Sequence, residues 1–124
     1  MRVSKEIAEA LKDIGYDVPC DAYYIPHTEK VMTKVANIDW NKNTRYEAIS
    51  APTVYEAIEF IDSKEVYVEV YTETYDDATE IAGFKYSIYA PTRSGGSMTL
   101  YPTRLAAYTA GLPIAINYIK NKKG

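Results

Sequence analysis

Cys20 and His27 are the one pair in this chain that could serve as a nucleophile and its base. A thiol attacks best when a neighbouring group takes its proton, and a hairpin between the two could bring them together. No motif surrounds either residue, and cysteine is commonly buried as a small hydrophobe, so no catalytic residue is assigned. With one cysteine and one histidine in 124 residues, an internal disulfide cannot form, and only two good zinc ligands are present. A structural zinc site takes four, so neither a metal nor a cofactor is expected.

Two other stretches could do chemistry. Arg93-Ser94-Gly95-Gly96-Ser97 is the most flexible-looking piece, and the amides around Arg93, Gly95 and Gly96 could cradle an anion. The stretch lacks the spacing of a nucleotide-binding loop, and a flexible linker is the plainer reading. Glu65, Glu69 and Glu73 recur every fourth residue. On a strand that separates neighbours by about 13 Å, too far for two to share an ion. They are expected to form a solvated acidic edge.

The best candidate surface is the run EVYVEVYTETY, Glu65 to Tyr75. Strand geometry sends successive side chains to opposite faces. One face carries Val66, Val68, Val70, Thr72 and Thr74 and wants a core. The other carries Glu65, Tyr67, Glu69, Tyr71, Glu73 and Tyr75. Tyr67, Glu69, Tyr71, Glu73 and Tyr75, joined by Tyr89 from a returning strand, would form a protein-binding surface, because tyrosine is enriched where proteins meet. Aromatic rings on a sheet can also stack unpaired bases, but interleaved glutamates repel phosphate. Thirteen tyrosines against two phenylalanines and one tryptophan make this chemistry prominent. Tyrosine is also a good strand former, which explains many of them without a partner.

The elements that must position these residues follow from periodicity. Ser4 caps a first helix with Ile7, Ala10, Leu11 and Ile14 on one stripe, ended by Gly15. Tyr23 to Ile25 and Glu29 to Ala36 are expected as strands, joined through Pro26-His27-Thr28. Asn37 to Arg45 is polar and loop-like, with Trp40 pinning it, and Tyr46 to Ser50 is a candidate short strand. Thr53 and Glu56 have capping-box spacing ahead of a second helix that buries Val54, Ala57, Ile58 and Ile61 and stops near Ser63. Glu65 to Tyr75 is then the central strand, Asp76 to Thr79 the turn, and Ile81 to Ala90 the return. Phe84, Tyr86 and Ile88 match the valine face, and Lys85 faces the glutamates. Met98 to Tyr101 is a further edge strand. Pro102-Thr103 opens a last helix with Leu105, Tyr108, Leu112, Ile116 and Ile119 on its stripe, kinked or split near Gly111 and Pro113. The fold class expected is α+β, a mainly antiparallel sheet with helices packed on one face, in a single domain over residues 1–124.

Charge is uneven along the chain. Residues 1–55 are near neutral, residues 56–80 carry a net −8 and residues 81–124 a net +6. An acidic middle and a basic end can cancel within one fold or attract neighbouring copies. The overall balance of −3 argues against general nucleic-acid affinity, which needs a basic footprint. No apolar run approaches the roughly 20 residues that span a bilayer. Charged residues interrupt the N-terminal MRVSKEIAEALKDIG, so no signal peptide is expected and the location expected is cytoplasmic.

Four segments carry a resemblance: Ser4 to Lys12, Gly15 to Tyr24, Ala51 to Ile58, and Ala106 to Leu112 leading on to Ile119. With these the chain resembles a group of small uncharacterised proteins of gut Bacteroidetes and their phages and prophages. The resemblance implies a phage or mobile-element origin within a bacterial host cell and brings no catalytic residues. The function expected is that of a non-enzymatic accessory protein that binds a host or phage protein, or another copy of itself. The alternatives are a minor virion component and a small-ligand binder or enzyme using the 93–97 loop.

Overall fold

A computed structural model describes residues 1–42, 47–75 and 80–122. It has an α+β fold in which all strand pairing is antiparallel. Among the described residues the strands divide between two three-stranded sheets, and the chain divides between two compact units, Met1–Phe60 and Ile61–Gly124.

In the first unit, α1 (Lys5–Asp13) begins where the Ser4 hydroxyl accepts from the Ile7 N–H. It ends as Gly15, at φ 90°, lets the Gly15 and Tyr16 amides turn back to the Lys12 and Leu11 carbonyls. That left-handed conformation is open to glycine at little steric cost. Ile7, Ala8, Leu11 and Ile14 form its buried stripe. β1 (Cys20–Tyr24) lies between β2 (Met32–Ile38) and β3 (Ile49–Ser50). β2 starts three residues later than the sequence pattern predicts and runs through Asn37 and Ile38, so the connection is longer than a tight turn and passes His27 at φ 70°. Cys20 sets the far limit, because it pairs with Ile38. Trp40 opens a short 3₁₀ turn, Trp40–Lys42, where its indole N–H donates to the Cys20 carbonyl at 2.8 Å and its ring stacks on Tyr23. It pins this segment as expected. The expected strand from Tyr46 is confined to Ile49–Ser50, and Tyr46 itself lies outside the described residues. The Thr53–Glu56 capping box forms in both directions, at 2.8 and 3.1 Å, ahead of α2 (Val54–Ser63).

In the second unit β4 (Tyr67–Thr74), β5 (Ile81–Ala90) and β6 (Arg93–Gly96) pair in that order, and α3 (Arg104–Lys122) packs against β4 and β5. Four expectations are corrected here. The Tyr/Glu strand is an edge strand, not the centre of its sheet; β5 is the centre. β4 also starts late, because Glu65 takes φ 63° and residues 64–66 still bond back to the last turn of α2. Arg93–Gly96 is a strand rather than a linker: the turn at Pro91-Thr92 sets Arg93 opposite Ala90 and Gly95 opposite Ile88. Met98 to Tyr101 makes a single bridge, Tyr101 with Phe84, instead of a strand.

The last helix does not split. α3 runs unbroken through Pro113, which lies on the exposed side, where the carbonyl it leaves without a donor can turn to water. Gly111 is no break either. A Cβ there would sit 3.1 Å from Val68 Cγ1 and 3.2 Å from the Tyr86 ring, so glycine lets the helix lie close on the sheet. Leu112, Ala115, Ile116 and Ile119 are buried on the same side. Val66 and Val68 are buried too, Val70 is half-buried, and Thr72 and Thr74 reach solvent, so the aliphatic side of β4 is covered over its first half. The expected turn at Asp76 to Thr79 lies outside the described residues.

Candidate protein-interaction face

The register of β4, β5 and β6 builds the face that α3 leaves uncovered. Tyr67 pairs with Tyr89 and Tyr89 with Ser94; Glu69 pairs with Ser87 and Ser87 with Gly96; Tyr71 pairs with Lys85 and Glu73 with Gly83. Facing residues in adjacent antiparallel strands have Cβ atoms about 5 Å apart, so the Tyr67 and Tyr89 rings are neighbours and Tyr71 stands two positions along the same face from Tyr67. Tyr67, Tyr71 and Tyr89 are 46%, 43% and 47% exposed. Tyr75 is also exposed, one residue past the end of β4, with its N–H donating to the Glu80 carbonyl. Of the expected grouping, Tyr67, Glu69, Tyr71, Glu73 and Tyr89 are brought together on one open sheet face, and Tyr75 lies beyond the strand.

Charge on this face is partly internal. The Lys85 ammonium reaches diagonally past Tyr71 to the Glu73 carboxylate at 3.3 Å. Glu69 is exposed and makes no ion pair among the described residues. The face is thus a tyrosine surface with one uncompensated acid near its middle. A shallow depression of about 420 Å³ opens at its end, lined by Glu65, Tyr67, Tyr89, Ala90 and Pro91. Ser94 and Pro91 complete this end and were not singled out from the sequence. A two-residue turn at Pro91-Thr92 was the signal that would have found them, because it alone fixes Ser94 opposite Tyr89.

The three residues expected to hold an anion separate. A run of amides converges on an anion only when the backbone curls; in a strand, alternate amides point to opposite edges. Arg93 and Gly95 pair with Ala90 and Ile88 and share their helix-facing side, whereas Gly96 pairs with Ser87 on the open side. The Arg93 guanidinium lies over the Tyr118 ring, 4.1 Å from its centroid, a cation–π contact. Gly95 faces the tip of the same residue: a Cβ would come within 2.6 Å of Tyr118 Oη. Here glycine admits the helix rather than loosening the chain. Beside Arg93 is a cleft of about 150 Å³ lined also by Val66, Thr92, Tyr118 and Asn121, well below the roughly 300–1,000 Å³ of typical small-molecule sites. On this inner side burial pushes the Tyr86 phenol up from its ordinary range, helped by the neighbouring Tyr101 and Tyr118.

Comparison with protein-family models, characterised proteins and solved structures gives no match. The site therefore rests on its own geometry.

Cys20 and His27 do not meet. Cys20 begins β1 and His27 lies beyond its other end, and four residues of strand already span about 13 Å. The Cys20 thiol is buried, donates to the Val18 carbonyl at 3.5 Å, and lies 3.8 Å from the Tyr16 hydroxyl. Burial raises its pKa, which outweighs the lowering effect of that contact. A thiol held protonated is a poor nucleophile. Among the described residues no group of three or more His, Cys, Asp or Glu is arranged to hold a metal ion, and no helix is long and apolar enough to cross a membrane.

Proposed function

We propose that this chain is a non-enzymatic accessory protein of phage or prophage origin that works in the cytoplasm of a bacterial host by binding another protein. The observation that carries this reading is the open side of the second sheet. Tyr67 and Tyr89 face each other across the ladder and Tyr71 stands beyond Glu69 on the same side, all three half-exposed, while α3 occupies the opposite side of the same strands. Such a surface offers large rigid rings with polar tips, which gain contact area on docking at small entropic cost. The phage origin is supported by the sequence resemblance alone. The small-ligand alternative gains nothing from the narrow cleft beside Arg93.

Affinity capture from host and phage-infected lysates, comparing the native chain with a Tyr67→Ala/Tyr71→Ala variant, tests the face. Loss of a specific captured protein, with the melting curve unchanged, is the expected result. An identical captured set from both proteins defeats the reading. Mass spectrometry of purified particles separates an accessory protein, which is absent from them, from a virion component.

A further inference from the structure

Residues of an antiparallel strand turn their N–H and C=O groups alternately to the neighbour on one side and the neighbour on the other. On β5 the even residues turn towards the β6 side. The Tyr86 carbonyl accepts from the Ser97 N–H and its N–H donates to the Ser97 hydroxyl, while Phe84 exchanges both bonds with Tyr101. Their partners on β4 must then turn away from β5. Those partners are Val68, Val70 and Thr72, opposite Ile88, Tyr86 and Phe84. The outer edge of β4 thus presents three main-chain donors and three acceptors. Among the described residues, the Arg104 guanidinium reaches this edge, donating to the Val70 carbonyl at 3.3 Å. An edge left this way is a template for another strand.

The side chains of β4 say which strand. On the open face of β4 tyrosine stands at 67 and 71 and glutamate at 69 and 73. Consider two copies pairing antiparallel through a two-fold axis at Val70. Val68 then faces Thr72 and Val70 faces Val70, so every outward-turned group meets another, for about six hydrogen bonds, two at each facing pair. In that register Glu69 faces Tyr71 and Tyr67 faces Glu73: each carboxylate meets a phenol. An axis at Glu69 or Tyr71 would instead set Glu69 against Glu69 or against Glu73, and like charges directly opposite are destabilising. The four-residue period is self-complementary in one family of registers, and the axis at Val70 keeps the whole of β4 paired. On the helix side the same register brings β-branched residues together, a favourable cross-strand combination.

We propose that the protein forms a reversible dimer in which β4 pairs with β4 of a second copy about an axis at Val70, making one six-stranded sheet with a doubled tyrosine face. Arg104 either releases the Val70 carbonyl or shares its second lone pair. The inference does not depend on what docks on the open face.

Sedimentation equilibrium over a range of protein concentrations tests it, on the full chain and three variants, each checked by circular dichroism and melting. Thr72→Pro removes an outward N–H from an exposed edge position, where proline spares the ladder to β5, and should leave only monomer. Tyr71→Glu sets the introduced carboxylate against Glu69 twice across the axis and should weaken dimerisation about tenfold. Tyr71→Glu combined with Glu69→Tyr restores the acid–phenol pair between positions 69 and 71 across the Val70 axis and should return affinity to within about twofold of native. A native chain that stays monomeric at its solubility limit overturns the proposal, as does a dimer indifferent to Thr72→Pro. Failure of the double variant to rescue Tyr71→Glu overturns it too, and that comparison still decides if Thr72→Pro does not fold.

Discussion

The two sheets use the same residue in opposite ways. Around the first sheet tyrosine is core material. Tyr16 is buried edge-on to Phe60 at 4.9 Å, Tyr24 is buried with its hydroxyl donating to the Val3 carbonyl at 2.6 Å, and Tyr23 stacks on Trp40. On the second sheet Tyr67, Tyr71 and Tyr89 are half in water. The lesson is that tyrosine content says little about burial. A buried ring stays inside when its hydroxyl finds an acceptor; the exposed rings stand on a sheet face whose opposite side already holds the helix.

The sharpest way to break this comparison is to delete one buried ring. Tyr16→Ala should cost about 3–5 kcal/mol, read from urea unfolding of the first unit; a loss below about 1 kcal/mol would make its burial unimportant. In the second unit the equivalent strain is applied through the helix. Gly111→Val should cost about 1–3 kcal/mol, because its side chain must displace Val68 and the Tyr86 ring, at 3.1 and 3.2 Å from a Cβ already. An unchanged urea midpoint would mean that the helix can lift off the sheet freely.

Alkaline pH sharpens the contrast without mutation. Burial raises the pKa of Tyr16, Cys20 and Tyr24 in the first unit and of Tyr86 in the second. For acids with raised values the folded chain keeps protons that the unfolded chain releases. Stability is therefore full below the ordinary value of 9.0 for the thiol and 10.0 for the phenols, and falls as pH rises through and past them. Each such group contributes a slope of up to about 1.4 kcal/mol per pH unit. The first unit should lose stability more steeply above about pH 9, and Tyr16→Phe should flatten its slope. Equal slopes in native and variant would place the titration elsewhere.

The smallest effect belongs to the open face. Tyr67→Ala/Tyr71→Ala should change the unfolding free energy by no more than about 0.5 kcal/mol per site while abolishing partner capture. A larger loss would show these rings packed rather than presented.

Much of this was legible from the residues. Caps depend on short-range chemistry, so Ser4, Gly15 and the Thr53–Glu56 box stand where the sequence places them. Alternation fixes which side of a strand faces the core, so the Tyr/Glu grouping survives as well. Long-range pairing was not legible. Nothing local says that β4 has one neighbour rather than two, or that the strands divide between two sheets. The glycines misled for a related reason. Gly95, Gly96 and Gly111 suggest looseness or a break when read alone, whereas Gly95 and Gly111 mark where a distant element comes close. Pro113 misled because its effect depends on which way it faces, and here it faces water.

Trp40 is the single tryptophan, stacked on Tyr23 and bonded to Cys20 within the first unit. Indole emission excited at the red edge therefore reports on that unit alone, whereas phenol emission comes from tyrosines in both units. The chain thus arrives with a native fluorophore confined to one half, and light can follow the melting of that half without a label.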